Sequence, residues 1–287
     1  MKILKYILVT AFTAACITAF SQPKPAQTAK NIIDMIIKET GAQPIPNTVD
    51  VIKVGDPQTK VTGIVTCMFA TMDVLKKAVE MNCNLIIAHE PLFYNHLDET
   101  KQFSSDQVYL DKKKYIDDHK LVIWRFHDYI HSIKPDAIDF GMARKLGWSE
   151  YADNEDFNRF KIPESTLREL IQYLKGRFPG TSFNVVGDPD MKLTRVWFAA
   201  GAPGSQIHFR LLEYKNTEVV IAGEVQQWET YEYVRDAVQQ GKKKAIIFLG
   251  HIPSENAGME YGAEWIKTFI KDIPVSFVDC GPSYTTW

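Results

Sequence analysis

The sequence predicts an α/β protein with largely parallel sheets covered by helices, on three observations. Short apolar runs alternate with amphipathic helical segments through both halves of the chain, the pattern of strands joined by crossover helices. Capping and stop residues such as Thr71, Gly41 and Gly147 mark the joints. Three of the seven histidines lie at or just past the carboxyl end of an apolar run, each within a few residues of a carboxylate. They are His89 with Glu90, His127 with Asp128 (and His131 four residues on), and His251 with Glu255 four residues on. In an open α/β sheet ligands collect outside the carboxyl ends of the strands. A parallel sheet would bring the three clusters to one edge.

The elements follow in order. Residues 29–40 carry Ile32, Ile33, Met35, Ile36 and Ile37 at helical spacing and stop at Gly41. After a Pro-rich link, residues 61–68 read as a strand, and Thr71 caps a helix to about Met81. A strand over 84–89, a helix over 107–119 and a strand over 121–126 come next. Pro135 is expected as the first residue of a helix closed by Gly147. Thr166-Leu-Arg-Glu169 is a capping box for a helix with Leu167, Leu170, Ile171 and Leu174 on one face. Strands are expected over 183–186, 193–200, 218–222, 245–249 and 275–279, with helices over 206–214, 230–240 and 258–271. The weakly periodic stretch 148–161 is the expected boundary between lobes of about 28–148 and 162–287.

The bulk composition is that of an ordinary globular chain. It has 287 residues, 45% hydrophobic and 24% charged, with a net charge of −2, so it lacks the basic footprint that nucleic acid requires. Lys112-Lys-Lys114 and Lys242-Lys-Lys244 read as solvated surface. Met1 to Lys5 is a positive segment, residues 6–20 are apolar, and Ala19-Phe-Ser21 is a small-x-small cleavage site. Residues 1–21 are therefore expected to be a signal peptide, leaving Gln22 as the mature N-terminus of a periplasmic or secreted protein with no membrane span. Lipidation would use Cys16, but Thr13 stands where a bulky aliphatic residue is usual. Cleavage leaves Cys67, Cys83 and Cys280, an odd number without Cys-x-x-Cys spacing. That excludes a thiolate zinc site and argues against a disulfide framework.

Imidazole with carboxylate suits zinc, manganese or iron. His251-Ile-Pro-Ser-Glu255 can direct two donors at one ion across a tight turn stiffened by Pro253. Bound divalent ions favour hydrolysis, because they lower the pKa of coordinated water and clamp reacting oxygens. No nucleophile elbow, phosphate loop or dinucleotide fingerprint competes. His96, His119 and His208 read as ordinary hydrogen-bonded histidines, His119 at a charged helix end.

Leu85-Ile-Ile-Ala-His-Glu-Pro-Leu-Phe-Tyr94 resembles the His-His-Pro-aliphatic-aromatic segment of the NGG-interacting factor three family, whose members often carry the name GTP cyclohydrolase I type 2 homologue. Ala70-Thr71 and the helix after it, residues 127–148, and His251-Ile-Pro-Ser-Glu255-Asn-Ala-Gly258 resemble further family segments. Gly201-Ala-Pro-Gly-Ser205 and Ala222-Gly-Glu224 are weaker landmarks. The resemblance implies two intertwined lobes, a metal cleft, a homo-oligomer and a small-molecule substrate. It also implies two divalent ions held by His89, Glu90, His127, His131, His251 and Glu255. Glu90 stands where the family has a second His, and His131 where it has an Asp. The two departures together leave ligand number and charge unchanged. Asp128 is a further ligand or a partner that orients an imidazole. Trp228 stands where family members often carry a His. The expected activity is hydrolysis of a small cyclic amide or phosphoester by a metal-bound hydroxide, with Glu255 or Asp128 as general base. The alternative is a metal-binding or scaffold protein without turnover.

Overall fold

The computed structural model describes residues 27–214 and 216–285. The expected leader and Gln22 lie outside the described residues. The elements in chain order are α1 (Ala29–Glu39), β1 (Ile52–Val54), β2 (Ile64–Cys67), α2 (Met72–Glu80), β3 (Leu85–Ala88), α3 (Gln107–Asp118), β4 (Val122–Arg125) and α4 (Ala137–Leu146). They continue with β5 (Arg159–Thr166), α5 (Leu167–Arg177), β6 (Asn184–Val186), β7 (Lys192–Ala199), α6 (Ser205–Glu213) and β8 (Val219–Ala222). Last come α7 (Glu232–Gln239), β9 (Ala245–Phe248), α8 (His251–Ile266) and β10 (Val275–Phe277). None of the helices described is long and apolar enough to cross a membrane.

Two five-stranded sheets result, ordered β1-β4-β3-β2-β10 and β5-β7-β8-β9-β6. In the first, β10, β2, β3 and β4 run parallel and β1 is antiparallel. In the second, β7, β8 and β9 run parallel between antiparallel edges. The α/β class with largely parallel strands is therefore as expected, but the three histidine-bearing strand ends are divided between two sheets. β10 returns to the first sheet, so residues 162–287 supply strands to both.

Period-two alternation buries both faces of each sheet. Ile64, Leu85, Ile87 and Trp124 pack with Ile32 and Ile36 of α1 and with Met259 and Ile266 of α8. Val65, Ile86 and Ile123 face Val74 and Leu75 of α2 and Ile116 of α3. In the second sheet Val196, Val219 and Ile247 meet Leu170 and Leu174 of α5, while Val220 and Ile246 meet Leu212 of α6 and Val234 of α7. Helix α4 serves two cores, since Ala137 and Ile138 belong to the first and Met142 and Leu146 to the second.

The local caps are largely those expected. Thr71 and Thr166 cap α2 and α5, the latter in a complete capping box, and Gly147 ends α4 at φ 69°. Pro135 is not the first residue of α4. Asp136 is the cap, its side chain accepting from the Ile138 and Asp139 N–H groups, so the helix opens at Ala137. Helix α8 begins at His251, seven residues before the position read from the sequence. Pro253, expected to stiffen a turn, sits in the first turn of the helix, where its missing N–H costs nothing because that donor has no intrahelical partner.

Gly258, expected as the first residue of this helix, lies inside it, and packing explains its missing side chain. A Cβ there would stand 2.5 Å from Ile138 Cα, and one on Gly141 would stand 2.5 Å from the Ala257 carbonyl oxygen. Helices α4 and α8 therefore cross backbone to backbone. Gly176, near the end of α5, has nothing within 4 Å of its Cβ position. Gly258→Ala is expected to lower the unfolding free energy by about 1–3 kcal/mol through overpacking. Gly176→Ala should raise it by about 0.5–1 kcal/mol. Urea unfolding of the two variants beside the parent checks both signs.

Candidate metal centre

The carboxyl ends of the two sheets face each other, and the residues just past them form the site. From the first sheet, β3 delivers His89 and Glu90, and β4 delivers His127. From the second, β8 delivers Glu224 and β9 delivers His251. Helical geometry places Glu255 one turn beyond His251 on the same face of α8. The structure therefore replaces the expected stiffened turn with a helix.

Four imidazoles are tethered through Nδ1. His89 Nδ1 donates to the Phe126 carbonyl at 3.1 Å, and His127 Nδ1 meets Asp128 Oδ1 at 2.9 Å. His131 Nδ1 meets Asp136 Oδ2 at 2.8 Å, and His251 Nδ1 meets Glu224 Oε1 at 2.8 Å. Each tether commits one nitrogen and leaves Nε2 as the donor available to an ion, the usual arrangement around metal-binding histidines. The rings crowd together. His89 stacks on His127 with centroids 4.7 Å apart, and His131 lies 5.4 Å from His89 and 5.7 Å from His127.

The carboxylates close the ring of donors. Glu90 Oε1 is 3.1 Å from His251 Nε2 and 3.9 Å from His127 Nε2. Glu255 Oε2 is 3.1 Å from His251 Nε2 and 3.5 Å from His89 Nε2. Two sets of three side chains, His89 with His127 and His131, and His89 with Glu90 and Glu255, each offer ligand atoms within 4.8 Å of one another. All six candidate ligands are thus brought to one place.

Two buried atoms bear on whether a cation fits. His89 Nε2 and Glu255 Oε2 have no aligned hydrogen-bond partner among the described residues. Buried polar atoms are rarely left so, and a divalent cation would satisfy both. The proton equilibria agree. Burial pulls His89 down to about 4, although Glu255 opposes it, so the ring is neutral and its lone pair is free. Burial would lower His251 too, but Glu224, Glu255 and Glu90 around it push it up to about 12. Burial likewise works against charge on His131, and Asp136 raises it to about 9. Protons are held where a cation would sit, and metal binding releases such protons.

Both oxygens of Asp128 are hydrogen-bonded. Oδ1 binds His127, and Oδ2 accepts from Thr48 Oγ1 at 2.7 Å and the Val49 N–H at 3.2 Å. It orients His127. Glu90 is half committed: burial favours its neutral form, yet His251 and the surrounding imidazoles hold it at about 2. Its Oε2 faces Arg125 Nη2 at 3.4 Å. Trp228 is turned to solvent, 77% exposed, in the π-helical turn Gln227–Tyr231.

Several residues of the site carried no signal in the sequence. Asp50, buried in the segment before β1, accepts from the N–H groups of His127, Asp128 and Tyr129 at 2.7, 3.0 and 2.8 Å. It fixes the turn that carries His127. Arg125, 1% exposed, donates to the carbonyls of His89 and His96 as well as to Glu90. His96, read as an ordinary histidine, stands with its ring 5.9 Å from His127 and lines the site. The reading of His119 holds: its Nδ1 bonds to the Tyr115 carbonyl at the end of α3. His208 is buried against Thr230.

The two glycine landmarks have a steric cause. A Cβ on Gly201 (φ 63°) would overlap Glu255 Oε1, and one on Gly223 would overlap the Gly201 carbonyl. Ser254 Oγ accepts from the Gly201 N–H at 3.0 Å and donates to the His251 carbonyl at 2.7 Å. Main chain thus closes directly over Glu255.

Comparison with known proteins shows the family and the fold. The chain is 26% identical over 223 residues to a protein of Clostridium acetobutylicum named GTP cyclohydrolase 1 type 2 homolog, covering 74% of this chain and 75% of that one. It is 22% identical over 211 residues to the protein of that name from Clostridium perfringens, covering 70% and 76%. The crystal structure of a Bacillus cereus protein related to NIF3 superposes with a TM-score of 0.71 at 14% identity, covering 92% of this chain and all of that one. The profile of one family matches residues 50–282, a span that includes all six candidate ligands. The chain belongs to the Duf34/NIF3 (NGG1p interacting factor 3) family.

Proposed function

We propose that the chain is a metal-dependent hydrolase holding two divalent ions and acting on a small cyclic amide or phosphoester. The observation that carries this reading is the set of four Nδ1-tethered imidazoles around two buried ligand atoms, His89 Nε2 and Glu255 Oε2, that lack an aligned hydrogen-bond partner among the described residues. Six donors from His89, Glu90, His127, His131, His251 and Glu255 exceed the four that a single tetrahedral zinc takes, which supports a pair where the metal is zinc. Zinc, manganese or iron fits the nitrogen and oxygen donors. Such ions would supply Lewis acidity and a more acidic coordinated water.

The chain's own groups divide the remaining work. Asp128, Asp136, Glu224 and the Phe126 carbonyl hold the imidazoles in orientation. Glu255 is the group best placed to take a proton, because Asp128 has both oxygens engaged. A closed structural site would have no room for substrate. Here a cavity of about 580 Å³, lined by His127, His131, Glu255 and Trp197, opens on the cluster, which favours catalysis over a purely scaffolding role.

His89→Ala and Glu255→Ala are each expected to lose bound metal while keeping native secondary structure, as read by elemental analysis and circular dichroism. Full metal content in both variants would sink the site assignment. Asp128→Asn, which keeps every ligand but weakens the tether on His127, should lower zinc affinity by about 10–100-fold in calorimetric titration. The reading also places the protein outside the cytoplasm, on the tripartite leader of residues 1–21. Intact-mass measurement should find a chain beginning at Gln22; retention of Met1 would refute export by cleavage.

A further inference from the structure

Helix α3 buries two side chains, Lys112 and Ile116. Their four-residue spacing defines the inward face of the helix. Ile116 fills its place in the core under the first sheet, but Lys112 puts an ammonium where an apolar group belongs. The lysine triplet is not uniformly solvated as its sequence implied. Lys113 and Lys114 reach solvent and pair with Asp117 and Asp118 one turn on, whereas Lys112 is 7% exposed.

The surroundings of Lys112 leave its charge unbalanced. Its Nζ donates to the Leu92 carbonyl at 2.8 Å and lies 5.9 and 5.6 Å from the ring centroids of Phe93 and Tyr94. That carbonyl is its one hydrogen-bond acceptor among the described residues, and none of their carboxylates lies within ion-pair distance. Asp98, whose charge it feels, accepts from the Phe93 N–H at Oδ1 and faces two other cations at Oδ2, Lys53 at 3.2 Å and Arg125 at 3.9 Å, although Oδ2 has no aligned hydrogen bond among the described residues. Burial pulls the ammonium down to about 8, which leaves it mostly charged at neutral pH. A buried charge without a counter-ion is costly.

Lys112 also lines a cavity of about 660 Å³. Tyr94 and Ser283 add hydroxyl-bearing side chains to its wall, and Glu90 and His96 form the side shared with the cavity over the metal centre. The acidic groups of this wall are already balanced, Glu90 by Arg125 and His251 and Glu224 by His251.

We propose that the Lys112 cavity is an anion subsite that takes the phosphoryl or carboxylate end of the substrate, so that the molecule cleaved at the centre is an anion. The proposal rests on the hydrolase reading for what happens at the centre, but not for binding at Lys112. The buried ammonium supplies a point charge and two N–H donors beyond the one spent on Leu92. The ligand oxyanion supplies the missing counter-ion, and the scissile group extends past Glu90 and His96 towards the imidazoles.

The test uses the full chain stripped of metal by chelation, titrated separately with inorganic phosphate and with acetate in a calorimeter. Lys112→Met removes the charge, and Lys112→Gln removes it while keeping an N–H donor for the Leu92 carbonyl. Binding of either anion by the parent, weakened at least tenfold in both variants with zinc uptake unchanged, supports the subsite. The preferred anion then identifies the group. Failure of the parent to bind either anion would overturn the proposal. So would parent-like binding by Lys112→Gln, which would leave Lys112 a structural donor to Leu92. A failed hydrolase reading gives a different pattern, in which the parent binds phosphate at Lys112 while zinc-loaded protein turns over neither amides nor phosphoesters.

Discussion

The close crossing of α4 and α8 is the constraint on which the site depends. Gly141 and Gly258 let the two backbones meet without side chains between them. Each helix is tied to both sheets: α4 contributes to two cores, and α8 packs under β2 and β10 while its first residue follows β9. The crossing therefore sets the distance between the carboxyl ends of the sheets. His251 and Glu255 on the first turns of α8 are placed against His89, and His131 just before α4 is placed against His127. A methyl group at the crossing would be felt at the imidazoles, because close-packed interiors transmit displacement rather than absorb it.

Around that frame the electrostatics follow one rule: every charge needed at the centre is held from behind. Asp50 binds three successive N–H groups of the turn carrying His127. Arg125 gathers the carbonyls of His89 and His96 and one oxygen of Glu90. These partners are buried and hydrogen-bonded, which makes the inward-facing donors rigid at the expense of desolvating the outer ones. The result is a cluster whose outward valences are satisfied and whose inward valences, His89 Nε2 and Glu255 Oε2 above all, are not. Lys112 is the same imbalance with the opposite sign, a buried cation at the wall of an adjoining cavity. Together they set a cluster of nitrogen and oxygen donors beside a buried ammonium.

What the sequence determined by itself is local. Apolar runs specified the parallel strands, amphipathic spacing specified most helices, and Thr71, Gly147 and the Thr166–Glu169 box set their ends, because these signals depend on neighbours within a turn or two. The histidines and carboxylates past the strand ends were legible for the same reason. The edge strands were less so: β1 has three residues, and β5 contains Pro163 and an irregular register, features that edges tolerate and that erase the alternating pattern. Tertiary structure alone decided the rest. It divided the histidines between two sheets, returned β10 to the first of them, and moved Gly258 from the expected start of a helix to a contact inside it. It also buried Lys112 while leaving Lys113 and Lys114 in water, and it gave Asp50 and Arg125 their roles. Each of these depends on a partner far away in the chain, and local sequence holds no record of what will pack against it.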